Sequence, residues 1–498
     1  MQIDGYKKNY KMYSYSKVIK DQVILKPTKK NNSLNKLRKN ISNLLDELTI
    51  KDGSVISFHH HMRNGDYVLN MVMEEIAKRN VKDLTLFASS IFPCHEPLVK
   101  LIKKGVVTQI YSAYISGPVA EAISQGLMKK PVVMHTHGGR PRIIESSEIK
   151  IDVAFIAAPS CDYRGNINGS LGKNACGAIG YAVTDAWFAK NTVAITDNFV
   201  ISVDKPHIEG KYIDYIIKVD SIGEASKIVS GTTKITRNPI GLKIARLAAE
   251  VIKYSGYFKN GFSFQTGAGG ISLAVAHYLK EIMKEENVKG SFASGGITGY
   301  LVDMLKEGLF EKLYDVQCFD LDAVQSIREN EAHIPISASK YANINDDCIV
   351  NDLDYVILGA TEIDLDFNVN VTTSSTGEIM GGSGGHSDTA YGSKVTIIVS
   401  QLFNARIPVI KEHVICKTTP GETVDVLVTE RGIAINPRRR DLIERFRQTN
   451  LPIMTIQELK KISDNLVGIP EEVEFTNKIV GIVEYRDGTI IDLLYKRG

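Results

Sequence analysis

Nowhere in this chain do some twenty apolar residues run without interruption, the length a helix needs to cross a bilayer. The opening stretch, Met1 to Lys8, has no apolar run of the secretory type. Both absences predict a soluble, unexported, cytoplasmic protein with no membrane partner. Cysteine is scarce: Cys94, Cys161, Cys176, Cys318, Cys348 and Cys416 are scattered and form no Cys-x-x-Cys pair. That argues against a disulfide scaffold or zinc ribbon and suits a reducing compartment. No glycine turn ends in the Lys-Ser/Thr of a P-loop or completes Gly-x-Gly-x-x-Gly, so nucleoside triphosphate and dinucleotide readings are weak. Compositional bias is missing too, with 43% hydrophobic and 23% charged residues, as in ordinary globular proteins. At 498 residues the default is a pair of domains.

The net charge of +3 conceals an asymmetry: residues 1–40 hold ten Lys, one Arg and two Asp, a local +9 that leaves −6 for the rest. The basic stretch has no nucleic-acid recognition motif, so it reads as a solvated arm or a contact for an acidic partner.

The chain repeats itself. The segment 151–168 aligns without a gap on 353–370, an offset of 202 that pairs Asp152 with Asp354, Asp162 with Asp364, and Asn166 and Asn168 with Asn368 and Asn370. Phe87-Ala-Ser89 matches Phe292-Ala-Ser294 at a similar offset of 205. Duplication of one unit of roughly 200 residues follows, with a junction near Gly223 to Asn238. The division expected is a basic extension at 1–40, a first domain at 41–230 and a second at 231–498. Short apolar runs such as 83–87, 132–134, 152–157 and 354–358 alternate with helical stretches such as 68–78 and 273–284. This is α/β grammar with mainly parallel sheets, whose ligands bind at the carboxyl ends of strands. Two similar halves place the active site in a cleft between them.

Candidate site residues fall into three groups. Glycine turns precede helical stretches at Gly267, Gly269 and Gly270, and again at Gly381 to Gly385. Exposed amides there can hold a carboxylate, a phosphate or an oxyanion, the plain alternative being a flexible turn. Histidines gather with arginines at His59, His60, His61 and Arg63, and at His135, His137 and Arg140. In an extended segment His59 and His61 share one face and His60 the other. No acidic or thiolate ligand lies at metal-binding spacing and the arginines repel a cation, so no metal is expected; a polycarboxylate suits the guanidinium forks better. For each isolated His, a satisfied core or cleft residue stands as the alternative. The Asn pairs can brace a turn or donate to a thioester carbonyl, and Glu362 and Glu378 are the candidate nucleophiles for a covalent route.

Together, Ser57-Phe-His-His60 with Arg63 and Gly65-Asp66, His135 to Arg140, Pro159 to Asp162, Gly267 to Gly270, Gly295 to Thr298, Glu362 to Asp364 and Gly384 to His386 resemble the citrate lyase alpha chain family. The likeness runs from about residue 40 to the C-terminus. It implies a CoA-transferase fold and a citrate CoA-transferase that exchanges acetyl for citryl on an acyl carrier protein, releasing acetate. It implies beta and gamma partner chains, the gamma chain being the carrier, and a homo-oligomeric assembly. No cofactor is expected to reside in this chain; acetyl-CoA or the carrier's CoA-like prosthetic group is substrate. CoA-transferases that pass through an enzyme-bound anhydride are similar across Phe292 to Gly308 but carry a nucleophilic Glu where this chain has Gly295, which implies direct attack by citrate. On this reading His59, His60, Arg63, His135, His137 and Arg140 bind citrate. Gly384 and Gly385 supply oxyanion amides, Asn368 assists, and Gly267, Gly269, Gly270, Gly295 and Gly296 hold the CoA-like arm. The rivals are a citramalate CoA-transferase, an acetate-type CoA-transferase or acyl-CoA hydrolase using Glu362, and a non-catalytic scaffold that docks the carrier.

Overall fold

Short β-branched and aliphatic runs buried along nearly their whole length become the central strands of two sheets, since parallel strands covered on both faces have no polar side to show. A computed structural model describes residues 3, 5–6, 11–14, 25–229 and 234–498. The first half contributes β1 (Val55–Phe58), β2 (Leu84–Ala88), β3 (Val107–Ser112), β4 (Val132–Met134), β5 (Val153–Ala158), β6 (Asn191–Thr196) and β7 (Tyr215–Lys218). The second contributes β8 (Phe262–Thr266), β9 (Gly290–Ile297), β10 (Phe310–Cys318), β11 (His333–Pro335), β12 (Tyr355–Gly359), β13 (Val395–Val399) and β14 (Val426–Val428).

These strands are parallel, in the order β7-β6-β5-β1-β2-β3-β4 in one sheet and β14-β13-β12-β8-β9-β10-β11 in the other. The two orders are the same, strand for strand. Helices pack on them through one apolar stripe, as Val68–Ala77 does with Val68, Leu69, Val72, Met73 and Ile76.

The repeat extends to single hydrogen bonds. Asp162 accepts the N–H groups of Arg164 and Asn166 and the Asn166 amide, while Asn166 Oδ1 accepts from Gly210. In the second half Asp364 accepts from Asp366, Asn368 and the Asn368 amide, while Asn368 Oδ1 accepts from Gly421.

Three features depart from the sequence reading. Residues 231–498 do not stay in one half: the C-terminal hairpin of β15 (Phe475–Glu484) and β16 (Ile490–Arg497) adds to the first sheet, β15 lying parallel to β4. The basic extension is not separate where it is described: much of 25–40 is exposed, but it is anchored to the first half at several points. Leu37–Arg38 pairs with β7, Ile3 and Tyr6 are buried, and the Lys36 ammonium is spent on the carbonyls of Asn31, Arg164 and Gly210. Lys29 pairs with Asp214. The expected junction at 223–238 includes residues 230–233, which lie outside the described residues. Among the described residues no helix is long and apolar enough to cross a membrane.

Candidate active site

The carboxyl ends of the two sheets meet around a cavity of about 240 Å³. Loops after β1 to β4 bring His60, Arg63, Phe92, Tyr114 and His137 to its wall. The second half brings Gln265, Gly267, Gly296, Gln317, Phe319, Tyr341 and the turn from Gly382 to His386. A cleft at strand ends is where parallel α/β sheets place their ligands.

Among the described residues Arg63 is the only Lys or Arg on that wall. Its guanidinium lies between the rings of Phe92 and Phe319, 5.1 and 5.3 Å from their centroids, one ring from each half. Burial pushes its pKa down to about 10, which leaves it charged at neutral pH. Its φ of 51° is strained for a side-chain-bearing residue. The turn is pinned by pairing between Gly65 and Glu224 and between Tyr67 and Ile222.

His60 lines the cavity, yet both ring nitrogens are committed. Burial, with His137, His61 and Arg63 nearby, holds it well below the usual imidazole range. Nδ1 meets the Ser89 hydroxyl at 2.6 Å and Nε2 meets Gln317 Oε1 at 3.0 Å, while the Gln317 amide donates back to the His60 carbonyl. His60 therefore joins the halves and has no ring nitrogen left for a ligand. His137 differs. Burial first, then Arg140 and Arg63, push its pKa down to about 3, so it is neutral. Its ring stacks near His60 and Tyr181, and its nitrogens take no hydrogen bond among the described residues.

Arg140, His59 and His135 sit beneath the cavity and not on its wall. Arg140 is 1% exposed, 2.6 Å from Asp185, with further bonds to Ser57 and the carbonyls of Phe58 and Phe87. Its charge is already matched, because a buried guanidinium needs a partner carboxylate. Burial opposes ionisation of Asp185, but Arg140, the His59 imidazole 3.7 Å away and the bond from Ser57 hold its pKa below the usual value. His135 Nδ1 turns to the Thr136 carbonyl. Of the first triplet only His60 reaches the wall; its ring stacks on that of His61, 6.0 Å away and nearly parallel, so the two rings do not take the opposite faces an extended segment would give them. Among the described residues no group of three or more potential ligands is placed to hold a metal ion.

The glycine positions also divide. Gly267 and Gly296 line the cavity; Gly269, Gly270 and Gly295 do not. A Cβ on Gly270 would press on the linker at Lys234 and Thr236, so that glycine serves packing between segments. Gly295 has φ +100°, and a Cβ there would lie 2.7 Å from the Gln265 side chain. A Cβ on Gly296 would lie 2.1 Å from the Phe319 ring tip. The Gln265 side chain and the Phe319 ring occupy these spaces, so a larger residue at either position requires that neighbour to move.

Gly384 and Gly385 border the cavity unequally. The Gly384 N–H donates to the Ala113 carbonyl and its own carbonyl receives the His137 N–H, so it has no free amide. The Gly385 N–H takes no backbone partner among the described residues. Asn368 is spent in the turn with Asp364 and Gly421, away from the cavity. Glu362 is buried against Asn370 and the Ile415 N–H, and Glu378 is exposed on a loop. Among the described residues no Asp, Glu, Cys or Lys belongs to the wall.

Sequence reasoning passed over Gln265 as a side chain, and Gln317, Phe319, Tyr114, Tyr181, Tyr341 and Asp388 altogether. The repeat carried a signal for two of them: an offset of 205 sets Phe319 on Tyr114, and both line the cavity. Asp388 is an interface residue. Burial raises its pKa to about 6, and it accepts the Thr136 hydroxyl and the Gly138 N–H from the other half.

Two duplicated parallel-sheet halves, closing strand end to strand end over one cavity, define an enzyme of the CoA-transferase type. A family model for citrate lyase, alpha subunit (CitF) matches residues 34–497. The citrate lyase alpha chain of Haemophilus influenzae is 50% identical over 452 residues, 90% of each chain. That of Escherichia coli is 48% identical, covering 93% of this chain and 91% of the relative. An alpha subunit of citrate lyase from Streptococcus mutans, solved in complex with citrate, superposes with TM-score 0.91 at 46% identity over 98% of this chain and 95% of that one. A malonate decarboxylase hetero-tetramer from Pseudomonas, TM-score 0.64 at 16% identity over 86% of this chain and 88% of that one, shares the fold. The chain belongs to the citrate lyase alpha subunit family.

Proposed function

We propose that this cavity exchanges acetyl for citryl on the thiol of an acyl carrier protein, by direct attack of citrate on the acetyl thioester. The observation that carries the mechanism is the inventory of the wall: one guanidinium, neutral histidines and tyrosines, and, among the described residues, no carboxylate or thiol to act as a protein nucleophile. Ser90 and Ser383 do line it, but their hydroxyls bond to the Ser89 carbonyl and to Ser387, and among the described residues neither is hydrogen-bonded to an imidazole.

Arg63 holds one citrate carboxylate, fixed in orientation by its two rings. His137, neutral and unengaged, meets a second group as an uncharged partner. A carboxylate away from Arg63 keeps its charge unmatched and stays nucleophilic. Its oxygen bonds to the acetyl carbonyl carbon, whose π pair moves onto oxygen, and collapse expels the thiolate to leave an acetyl–citryl anhydride. The thiolate then attacks the citryl carbonyl and acetate departs. The Gly385 N–H borders the space where the oxyanion develops, and holding both reactants in one cavity supplies much of the rate. The gamma chain brings the thiol on its CoA-like arm and the beta chain consumes the citryl thioester, in a cytoplasmic complex.

The test uses purified protein with acetyl-CoA standing in for the acetylated carrier, and citrate or citramalate as acceptor. Citryl-CoA and acetate appear in equal amounts and only with acceptor, and borohydride traps no glutamyl thioester. Acetate released without acceptor, or a trapped glutamyl adduct, would replace this mechanism by the hydrolase or covalent one. Citramalate outpacing citrate would change the acceptor.

A further inference from the structure

The space vacated at Gly295 is put to use. Gln265, at the end of β8, extends its side chain into it, 2.7 Å from where a Cβ would stand. The Ser294 hydroxyl donates to Gln265 Oε1 at 2.9 Å, which turns the amide nitrogen toward Tyr341. Gln265 Nε2 then donates to the Tyr341 hydroxyl at 2.7 Å. A phenol that accepts a hydrogen bond keeps its own proton to give, and this one gives it to no group among the described residues. The hydroxyl lies 2.6 Å from the point a Cβ on Gly385 would occupy, so it shares the cavity wall with the unengaged Gly385 amide. Burial raises the Tyr341 pKa, which keeps the proton on oxygen throughout the neutral range.

We infer that Tyr341 is a catalytic residue whose O–H, beside the Gly385 N–H, stabilises the oxyanion of acyl transfer, and that Gln265 is its positioning residue. The inference rests on the acyl-transfer reading above. It also gives the Gly295 position a chemical role: the site that would hold a nucleophile in a covalent route here admits the amide that aims an oxyanion donor. Two donors converging on one developing charge is the arrangement that makes such holes effective. No bond changes at Tyr341; its proton is shared with the acetyl oxygen while the carbonyl carbon is tetrahedral, and is retained on collapse.

Steady-state transfer from acetyl-CoA to citrate tests it, with a thermal melt for each variant. Tyr341→Phe is expected to lower kcat by roughly 100-fold with the citrate KM changed less than about threefold and the melting temperature nearly unchanged. Gln265→Glu preserves shape but reverses the bond: its carboxylate accepts the Tyr341 O–H hydrogen bond and draws it away from the oxyanion, so kcat falls similarly. Its activity recovers as pH drops and the introduced carboxylate protonates, a trend absent from wild type. Wild-type kcat in Tyr341→Phe, or a rise in KM alone, overturns the inference. A pH-independent defect in Gln265→Glu overturns the positioning role. If wild-type protein shows no citrate-dependent transfer at all, the underlying reading fails, an outcome distinct from either.

Discussion

The two halves keep the same strand order and even the same Asp-Asn-Gly turn, but their strand ends do different work. The first half lends the cavity its charge and imidazoles: Arg63, His60 and His137. The second lends space at Gly267 and Gly296, amides of Gln265 and Gln317 that brace their neighbours, and neutral donors at Tyr341 and Gly385. Their sheet edges differ too. β4 is covered by β15, whereas no described strand covers β11, where Pro335 removes a backbone donor from the edge. A duplicated framework retains what folding requires of both copies. Residues beyond the strand ends, held less tightly by the sheets, diverged into complementary parts of one site.

The sharpest break in this comparison comes from removing the charge that one half owns. Arg63→Ala is expected to lower kcat/KM for citrate by about 100-fold, as loss of a buried charged hydrogen-bond partner does, with little change in the acyl-donor requirement. Equal effects on both substrates in a two-substrate kinetic matrix would remove Arg63 from citrate binding.

The shared turn offers the opposite prediction. Asn166→Ala and Asn368→Ala each remove two hydrogen bonds in equivalent surroundings, so each should cost about 2 kcal/mol in denaturant melts. The two losses should be alike, and KM values should hold. A selective kcat defect in Asn368→Ala at normal stability would restore it to the chemistry and break the equivalence.

A smaller effect tests how one half tunes the other. Phe319→Leu preserves bulk but removes a π-face from Arg63, and the citrate KM should rise about threefold, in line with about 0.5–1 kcal/mol for such a contact. Phe319→Tyr should restore it. An unchanged KM in the leucine variant would leave Phe319 as packing alone.

The mildest probe is pH. His137, His386 and His207 have folded pKa values of about 3, 4 and 4, all lowered chiefly by burial. Below pH 6.5 the unfolded chain binds more protons at these sites, so their contribution to stability is present above that value and lost as pH falls toward 4. His95 has the opposite sign. Burial works against its charge, but Asp66 raises its pKa to about 9, so its contribution is full below pH 6.5 and fades as pH rises through 9. Thermal melts should show both flanks. His95→Gln should flatten only the alkaline one; a flattened acid flank would refute the assignment.

Much of this architecture was written plainly in the chain. The offset near 200 announced the duplication because Asp162 and Asp364 brace the same turn from inside, and such bonds tolerate few substitutes. Strand ends bearing Gly, His and Arg marked the cavity region, since parallel sheets present ligands there. Spacing along the chain could not tell Arg63 from Arg140, because both follow histidines and only Asp185, 45 residues beyond Arg140, shows that the Arg140 guanidinium already has its carboxylate. Nor could it show that the Gly384 amide goes to Ala113, or that the space at Gly295 belongs to Gln265. The sequence by itself determined the parallel two-half fold and the family, properties set by local periodicity and recurring motifs. The tertiary structure alone decided which polar groups remain unspent at the cavity, because a hydrogen bond or charge is available only when no neighbour, however distant in sequence, has already taken it.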